Sequence, residues 1–217
     1  MRTSFEQSEA LIAIVVLIEP DAAAVEKAKA TNARLRQNYP QGFALDAAHV
    51  AHVTMVQRFA RARDLDTVAA AVEKVAQSGR PFPMKLTATS YVSVERDGVG
   101  VLVLAVERAP ELLQLVSDIV NAVQPFAANG GSANAFARAP GEEINENTIK
   151  YVEGFVPVSS GEKYFPHVTV GTAQLNFVKA LEAEPFAKLS FSGVNIAIYQ
   201  LGNFGTAQKR LWTWKEQ

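Results

Sequence analysis

Two short segments carry the residues of this chain that could perform chemistry together. Residues 51–56 read AHVTMV and residues 165–171 read FPHVTVG, so two of the three histidines lie in the same tripeptide, His-Val-Thr. Side chains two positions apart on a strand share one face, which predicts His52 beside Thr54 and His167 beside Thr169. Each pair combines an imidazole that titrates near neutral pH with a hydroxyl that can donate a hydrogen bond to an anionic oxygen.

If the two tripeptides face each other, they supply an acid, a base and two oxygen-binding hydroxyls. That set suits hydrolysis of a phosphodiester without a metal. One histidine would deprotonate the attacking water while the other, protonated, would deliver its proton to the leaving sugar oxygen. The threonines would hold the non-bridging oxygens as negative charge grows on them. The sequence does not indicate which histidine is the acid.

The context of the two tripeptides supports reading them as a pair. A single strand histidine is more often a hydrogen-bonded core residue than a catalyst. Here each tripeptide is followed by a predicted helix, then Pro-Phe and Lys-Leu (81–86 and 185–189), a long strand, a glycine turn and a return strand. This internal repeat predicts an α+β fold with two duplicated lobes, related by a pseudo-two-fold axis, whose antiparallel sheets surround a central cleft.

The elements that must position the tripeptides follow from hydrophobic periodicity and turn residues. We expect one domain over residues 1–217, with helices beginning at Asp21, near Asp64, at Pro110 and near Gln174. Gly79 is predicted to end the second helix. Residues 124–147, rich in Ala, Gly, Asn and Glu, predict a flexible insertion loop. Predicted strands cover 11–18, the two tripeptide segments, 84–94, 99–106, 148–158, 189–199 and 209–214, with hairpin turns at 96–98 and 202–205.

Three residues near the tripeptides are candidate substrate contacts. Arg58 has the same strand parity as the first tripeptide and would reach a phosphate from that face; a solvated arginine at a strand end is the alternative. Tyr164 and Phe165 lie just before the second tripeptide, where their rings could stack on a nucleobase or pack at the core or cleft rim.

Composition limits the class of partner. The 217 residues are 48% hydrophobic, with a net charge of −1 and a pI near 6.3, which argues against a protein that holds duplex DNA on a broad basic face. The absence of cysteine excludes disulfides and thiolate metal sites. The apolar run 11–18 is shorter than the roughly 20 residues of a membrane span. A signal-peptide core remains an alternative there, although a buried strand and a cytoplasmic protein are the expectation.

The two His-x-Thr tripeptides on strands of a pseudo-symmetric αβ chain resemble the 2H phosphoesterase superfamily, in particular its bacterial 2′-5′ RNA ligase-like branch. The resemblance implies a two-lobed fold with the motifs lining the cleft, His52, Thr54, His167 and Thr169 as catalytic residues, no metal or cofactor, and a nucleotide or RNA end with a cyclic phosphate as partner. The motifs continue as MVQRF and VGTA rather than as the basic sequence of RNA-processing members. The substrate therefore does not carry over.

Two alternatives from other classes stay open. A binding module could use the same four residues to recognise a nucleotide or RNA end without turnover. A metal-assisted hydrolase could use His49, His52 and His167, although in a strand His49 and His52 would lie on opposite faces and no neighbouring carboxylate completes a site. The physiological substrate and the oligomeric state are not determined by the sequence.

Overall fold

The structure is a computed structural model that describes residues 9–78, 82–96 and 98–214. Within these residues it contains seven strands and five α-helices. In chain order they are β1 (Leu11–Pro20), α1 (Ala22–Asn38), β2 (Val53–Arg61), α2 (Leu65–Ala76), β3 (Met84–Arg96), β4 (Val99–Val106), α3 (Pro110–Val123), α4 (Glu146–Ser159), β5 (His167–Ala173), α5 (Leu175–Glu182), β6 (Leu189–Leu201) and β7 (Ala207–Trp214).

The predicted α+β architecture is confirmed, and local sequence explains several element boundaries. The side chain of Asp21 accepts a hydrogen bond of 3.0 Å from the Ala24 amide and caps α1. Pro110 occupies the first turn of α3, where its missing amide hydrogen costs nothing. Gly79, Pro81 of the repeated Pro-Phe pair, and Asp97 of the β3–β4 turn lie outside the described residues.

The predicted strand 148–158 is wrong, because this segment forms helix α4. The side chain of Asn145 accepts a hydrogen bond of 2.7 Å from the Asn147 amide and begins the helix. Thr148, Val152 and Phe155 are buried at helical spacing, so one helix face contacts the rest of the molecule. The tertiary contacts of that face override the preference of its β-branched residues for a strand.

The strand pairings show the two-fold repeat directly. The antiparallel order is β1-β2-β5-β4-β3-β6-β7, and β1 also pairs with β6, so six strands close a ring. In one lobe, β1 pairs with the tripeptide strand β2 and with β6; in the other lobe, β4 pairs with the tripeptide strand β5 and with β3. The β2–β5 and β3–β6 pairings join the two lobes. Each lobe therefore brings its tripeptide strand to the same junction.

The sheet has two faces with different covers. On one face, residues such as Ile14, Val16 and Ile18 of β1 belong to the larger core cluster with buried side chains of α1, α2, α3 and α5. On the other, Val15 and Leu17 belong to a smaller cluster. We call the face with the smaller cluster the inner face.

Residues 124–147, the predicted insertion loop, contact the inner face of the sheet. Ala135, Phe136 and Ile144 are buried in the smaller cluster. The Ala137 amide donates a hydrogen bond of 2.8 Å to the carbonyl of Leu201 in β6. The Ala and Phe side chains of this segment bury apolar surface. A composition rich in small and polar residues does not predict this burial.

No helix in the described ranges is long and apolar enough to span a membrane.

Candidate active site

The two tripeptides lie on adjacent antiparallel strands. Their middle residues, Val53 of β2 and Val168 of β5, are directly paired and buried. One residue outward from this pair on each strand, every histidine comes opposite the threonine of the other tripeptide: His52 with Thr169, and Thr54 with His167. Opposed residues of an antiparallel pair have Cβ atoms about 4.5–5.5 Å apart on one face. All four polar side chains therefore form one compact group.

The group lies on the inner face. Thr54 is paired with Leu17, which belongs to the smaller cluster, while Val168 between His167 and Thr169 belongs to the larger one. The histidines and threonines are half-buried, whereas the valines between them are buried. The alternation that the sequence predicted thus places the histidines and threonines on the inner face. The valines lie on the opposite face, which we call the outer face.

Each tripeptide is followed by one unpaired residue. In β1, Val16 pairs with Val56 and the next residue, Leu17, pairs with Thr54, so Met55 has no partner in β1. Val170 is the equivalent unpaired residue of β5. Such bulges sharpen strand twist and change which side chains face the site. Their occurrence at the same place in both repeats extends the internal repeat to backbone geometry.

Both imidazoles are oriented in the same way by the main chain. Nδ1 of His52 lies 2.6 Å from the carbonyl oxygen of Val50, and Nδ1 of His167 lies 2.8 Å from that of Phe165, in each case two residues upstream. A carbonyl can only accept, so Nδ1 carries the hydrogen in both rings. The neutral rings therefore present Nε2 as a proton acceptor, and the protonated rings present it as a donor.

Burial controls the protonation of the two rings. It lowers the pKa of His52 to about 4; the hydrogen bond to Val50 opposes this shift and the nearby His167 adds to it. Burial also lowers the pKa of His167, against its bond to Phe165, and the positive charge of Arg96 contributes. The register of the two strands places the imidazoles on one face, close enough for His167 to influence His52. In the free protein at neutral pH both are therefore neutral.

Of the two alternatives for Tyr164, the structure shows core packing and not a stacking surface. Its ring is 3% exposed, and its hydroxyl donates a hydrogen bond of 2.8 Å to the carbonyl of Thr54. Burial raises its pKa, so the hydroxyl keeps its hydrogen. Arg108 donates to the carbonyls of Glu162 and Tyr164 and holds the same segment. Tyr164 therefore connects the approach to the second tripeptide with the backbone of the first.

Phe165 lies beside the site. Its side chain is 43% exposed and stacks on the imidazole of His167, with ring centroids 5.3 Å apart and planes 25° apart. The ring and the carbonyl of Phe165 thus both restrain the His167 imidazole. One face of the aromatic ring packs on the imidazole, and the exposed surface is free to contact a ligand.

The parity argument for Arg58 is wrong because of the bulge at Met55. Beyond the bulge, Arg58 pairs with Ile14, whose side chain lies on the outer face, whereas Thr54 pairs with Leu17 on the inner face. The guanidinium of Arg58 donates to the side-chain oxygen of Gln124, at the end of α3. The structure therefore separates Arg58 from the two tripeptides.

His49 does not join the other two histidines. Its ring stacks on Phe43, with centroids 5.4 Å apart, and its Nδ1 lies 3.5 Å from Asp46. Within residues 9–78, 82–96 and 98–214, no group of three or more His, Cys, Asp or Glu side chains could hold a metal ion. The described residues thus offer no metal site at the tripeptides.

Sequence reasoning missed a polar network on the same inner face. Glu19, on β1, is 8% exposed and accepts hydrogen bonds from Asn195 (2.9 Å) and Tyr199 (2.7 Å) of β6 and from Arg210 of β7. In β1, Glu19 follows two positions after Leu17, the partner of Thr54. A glutamate between an apolar run and a proline reads as a strand end, so only the burial of this carboxylate reveals the network.

Comparison with known proteins agrees with this architecture. A family model described as the 2′-5′ RNA ligase superfamily matches residues 19–203. TT0787 of Thermus thermophilus superposes with a TM-score of 0.58 at 14% identity, over 94% of this chain and 97% of that chain, and shares the fold. E. coli LigT, solved in complex with 3′-AMP, gives a TM-score of 0.45 at 14% identity, over 95% and 98% of the two chains.

A search of curated proteins finds no significant match. The family model nevertheless spans most of the chain and includes both His-Val-Thr tripeptides. This chain belongs to the 2′-5′ RNA ligase superfamily of 2H phosphoesterases, the group that its two tripeptides resemble.

Proposed function

We propose that this protein is a metal-independent phosphodiesterase that hydrolyses a 2′,3′-cyclic phosphate, or a related cyclic or 2′-5′ phosphodiester, of a nucleotide or RNA end. One observation carries the proposal: the pairing of Val53 with Val168 gathers two histidines and two threonines on one face. Family membership supports the reaction class, and the arrangement of the four side chains supports the division of roles.

The reaction needs one proton acceptor and one proton donor. A neutral histidine takes a proton from water at Nε2 while the water oxygen attacks phosphorus. The other histidine, protonated at Nε2, gives its proton to the leaving sugar oxygen as the phosphorus–oxygen bond of the ring breaks, and a phosphomonoester results. Thr54 and Thr169 donate hydrogen bonds to the non-bridging oxygens, whose charge grows in the transition state.

The low histidine pKa values fit this scheme once the ligand is considered. Burial disfavours an imidazolium in the free cleft. A bound phosphodiester brings a negative charge next to the two rings, and an opposite charge within about 4–6 Å favours the protonated form. Ligand binding therefore raises the pKa of the histidine that acts as the acid.

The direct test is an assay with EDTA on 2′,3′-cyclic nucleotides and on oligonucleotides that end in this group. We expect turnover by the wild-type protein and a loss of kcat of about 100-fold or more in His52→Ala and in His167→Ala. His49→Ala is the matched control, because the third histidine lies outside the site, and it should keep full activity. No turnover on any substrate, full activity of the His52 or His167 variant, or loss of activity with EDTA would refute the proposal.

The same preparations identify the non-catalytic alternative. Calorimetric titration with a nucleoside 2′,3′-cyclic phosphate would then show tight binding that depends on both histidines while the ligand stays intact. Metal analysis of the purified protein tests the metal-assisted alternative, which requires a stoichiometric ion.

A further inference from the structure

The inner face is not symmetric around the two tripeptides. Helix α4 is inserted between α3 and β5, whereas no helix of the described chain lies between α1 and β2. Three side chains come together beside α4: Gln57 from β2, Tyr151 from α4 and Arg96 from the end of β3. None of them has a role in the acid–base scheme.

Gln57 is a buried polar side chain on the same face as Thr54. The bulge at Met55 gives Gln57 this position, because Gln57 pairs with Val15, a residue of the smaller cluster. The side chain is 3% exposed, yet its Oε1 has no hydrogen-bond partner among the described residues. An unpaired buried amide oxygen destabilises the folded protein unless a ligand or a water molecule supplies a donor.

Arg96 and Tyr151 form a cation–aromatic pair next to this amide. Arg96 pairs with Val99 at the end of the β3–β4 ladder, and its guanidinium lies 5.1 Å from the centroid of the Tyr151 ring. The charge of Arg96 is near enough to contribute to the low pKa of His167. Arg96 therefore lies within electrostatic range of His167.

Gly205, in the β6–β7 connection, links Tyr151 to Gln57. A Cβ atom added to Gly205 would lie 3.3 Å from Nε2 of Gln57 and 3.8 Å from Cε1 of Tyr151. Gly205 has φ of 74°, a conformation that glycine adopts without strain. The main chain thus passes close to both side chains and leaves them little freedom to move apart.

We propose that Gln57, Tyr151 and Arg96 form a subsite that binds the nucleoside part of the substrate and so orients the cyclic phosphate between His52 and His167. The proposal rests on the proposed function. A glutamine amide offers one acceptor and two donors to the edge of a base. The Tyr151 ring provides a flat surface for stacking, and Arg96 adds a positive charge near the anionic phosphate.

A buried water is the competing explanation for the unpaired oxygen. A cavity of about 20 Å³ lies between Gln57, Phe59 and Val152, and this volume is sufficient for one water molecule. If Oε1 binds only that water, changes at Gln57 would affect stability but would not discriminate between substrates.

The test compares four nucleoside 2′,3′-cyclic phosphates with a base-free substrate, methyl ribofuranoside 2′,3′-cyclic phosphate. Gln57→Met keeps the length of the side chain and removes its amide. We expect it to lower kcat/KM about 10-fold for the preferred nucleotide, to reduce the differences between the four bases, and to leave the base-free substrate unaffected. An equal loss on all five substrates, or no loss, would overturn the subsite and favour the water.

Two further variants test the other members. Tyr151→Leu should raise KM for the nucleotides and not for the base-free substrate. Arg96→Gln should weaken binding of every phosphate-bearing substrate, with a smaller effect at high salt. Lys188→Gln is the charge-matched control, since Lys188 is exposed before β6. If Arg96→Gln and Lys188→Gln have the same effect, Arg96 is not part of the subsite.

Failure of the subsite and failure of the proposed function are distinguishable. If the wild-type protein turns over the base-free substrate and Gln57→Met loses no discrimination, only the subsite is refuted. If the wild-type protein hydrolyses none of the five substrates, the function is refuted, and titration with a 3′-nucleotide still measures the subsite. Equal affinity of wild type and Gln57→Met, or binding by neither, would then refute the subsite as well.

Discussion

The hydroxyl of Tyr164 donates a hydrogen bond of 2.8 Å to the main-chain carbonyl of Thr54. This bond joins the segment that leads into the second tripeptide to the backbone of the first. Beyond the Val53–Val168 pair, it is a second direct connection between the two halves of the site. The spacing of the two histidines therefore depends on a residue that does not face the ligand.

Tyr164→Phe should loosen this spacing. The substitution removes the hydrogen bond to the Thr54 carbonyl, and we expect the free energy of unfolding to fall by about 1–2 kcal/mol. Urea denaturation measures this change, and kcat should fall several-fold with little change in KM. Tyr39→Phe, on the half-buried tyrosine at the end of α1, is the control. Unchanged kcat in a destabilised Tyr164→Phe protein would make the bond purely structural.

The threonines should matter for the chemical step and little for stability. Thr54→Val and Thr169→Val keep the shape of each side chain but remove the donor to the phosphate oxygen. Loss of one such donor typically lowers kcat by roughly 100-fold. Thermal denaturation should show both proteins folded. An effect confined to KM would mean that the hydroxyls bind the ground state and the transition state equally.

The pH dependence of kcat/KM should be displaced to the acid side. The proposed mechanism requires one protonated and one neutral histidine. In the free protein, burial lowers the pKa of His52 to about 4 and that of His167 below the usual 6.5. A ring with a lowered pKa loses its proton at a lower pH. We therefore expect a bell-shaped profile with a maximum between about pH 4 and 6.5, and a kcat profile displaced upward by the bound phosphate. A kcat/KM maximum above pH 7 would contradict it.

Glu19 should make the protein sensitive to acid. Burial alone would raise the pKa of this carboxyl, but hydrogen bonds from Tyr199 and Asn195 and the charge of Arg210 outweigh it and lower the pKa below 4.5. Burial and the bond to Glu19 raise the pKa of Tyr199 to about 12, so Tyr199 remains a donor. The stabilisation of the folded state by ionised Glu19 is complete above about pH 4.5. It is lost as the pH falls through the lowered pKa of Glu19.

Glu19→Gln should therefore lower the free energy of unfolding at pH 7 by about 2 kcal/mol, and the deficit should shrink on acidification. Denaturation curves between neutral and acidic pH measure both effects. Glu26→Gln, on an exposed glutamate of α1 that pairs with Lys29, should change stability by less than about 0.5 kcal/mol. Parallel pH curves for wild type and Glu19→Gln would show that the network does not stabilise the fold.

Most helices and strands could be predicted because their signals are local. Asp21 caps α1 and Pro110 begins α3. The alternation of polar and apolar residues predicts the tripeptide strands. Helix α4 could not be predicted, because its β-branched residues favour a strand locally. Contacts with other elements stabilise the helix. The anchoring of residues 124–147 likewise depends on distant partners in β6.

The positions of two candidate substrate contacts, Arg58 and Tyr164, depend on features that no local pattern contains. Arg58 has the parity of His52 in the sequence, but the unpaired Met55 reverses the faces of all later residues of β2. The same reversal brings Gln57 to the inner face. Tyr164 is an aromatic residue beside the second tripeptide. Whether it stacks on a ligand or supports a neighbouring strand depends on which acceptor its hydroxyl contacts.

The sequence by itself determined that each His-Val-Thr presents a histidine and a threonine on one face, because side chains alternate along a strand, and that the unit occurs twice. It also excluded thiolate chemistry through the absence of cysteine. Only the tertiary structure decided that the two units form one site. Val53 and Val168 are 115 residues apart, and their pairing arises from the closure of six strands into a ring, which depends on long-range packing.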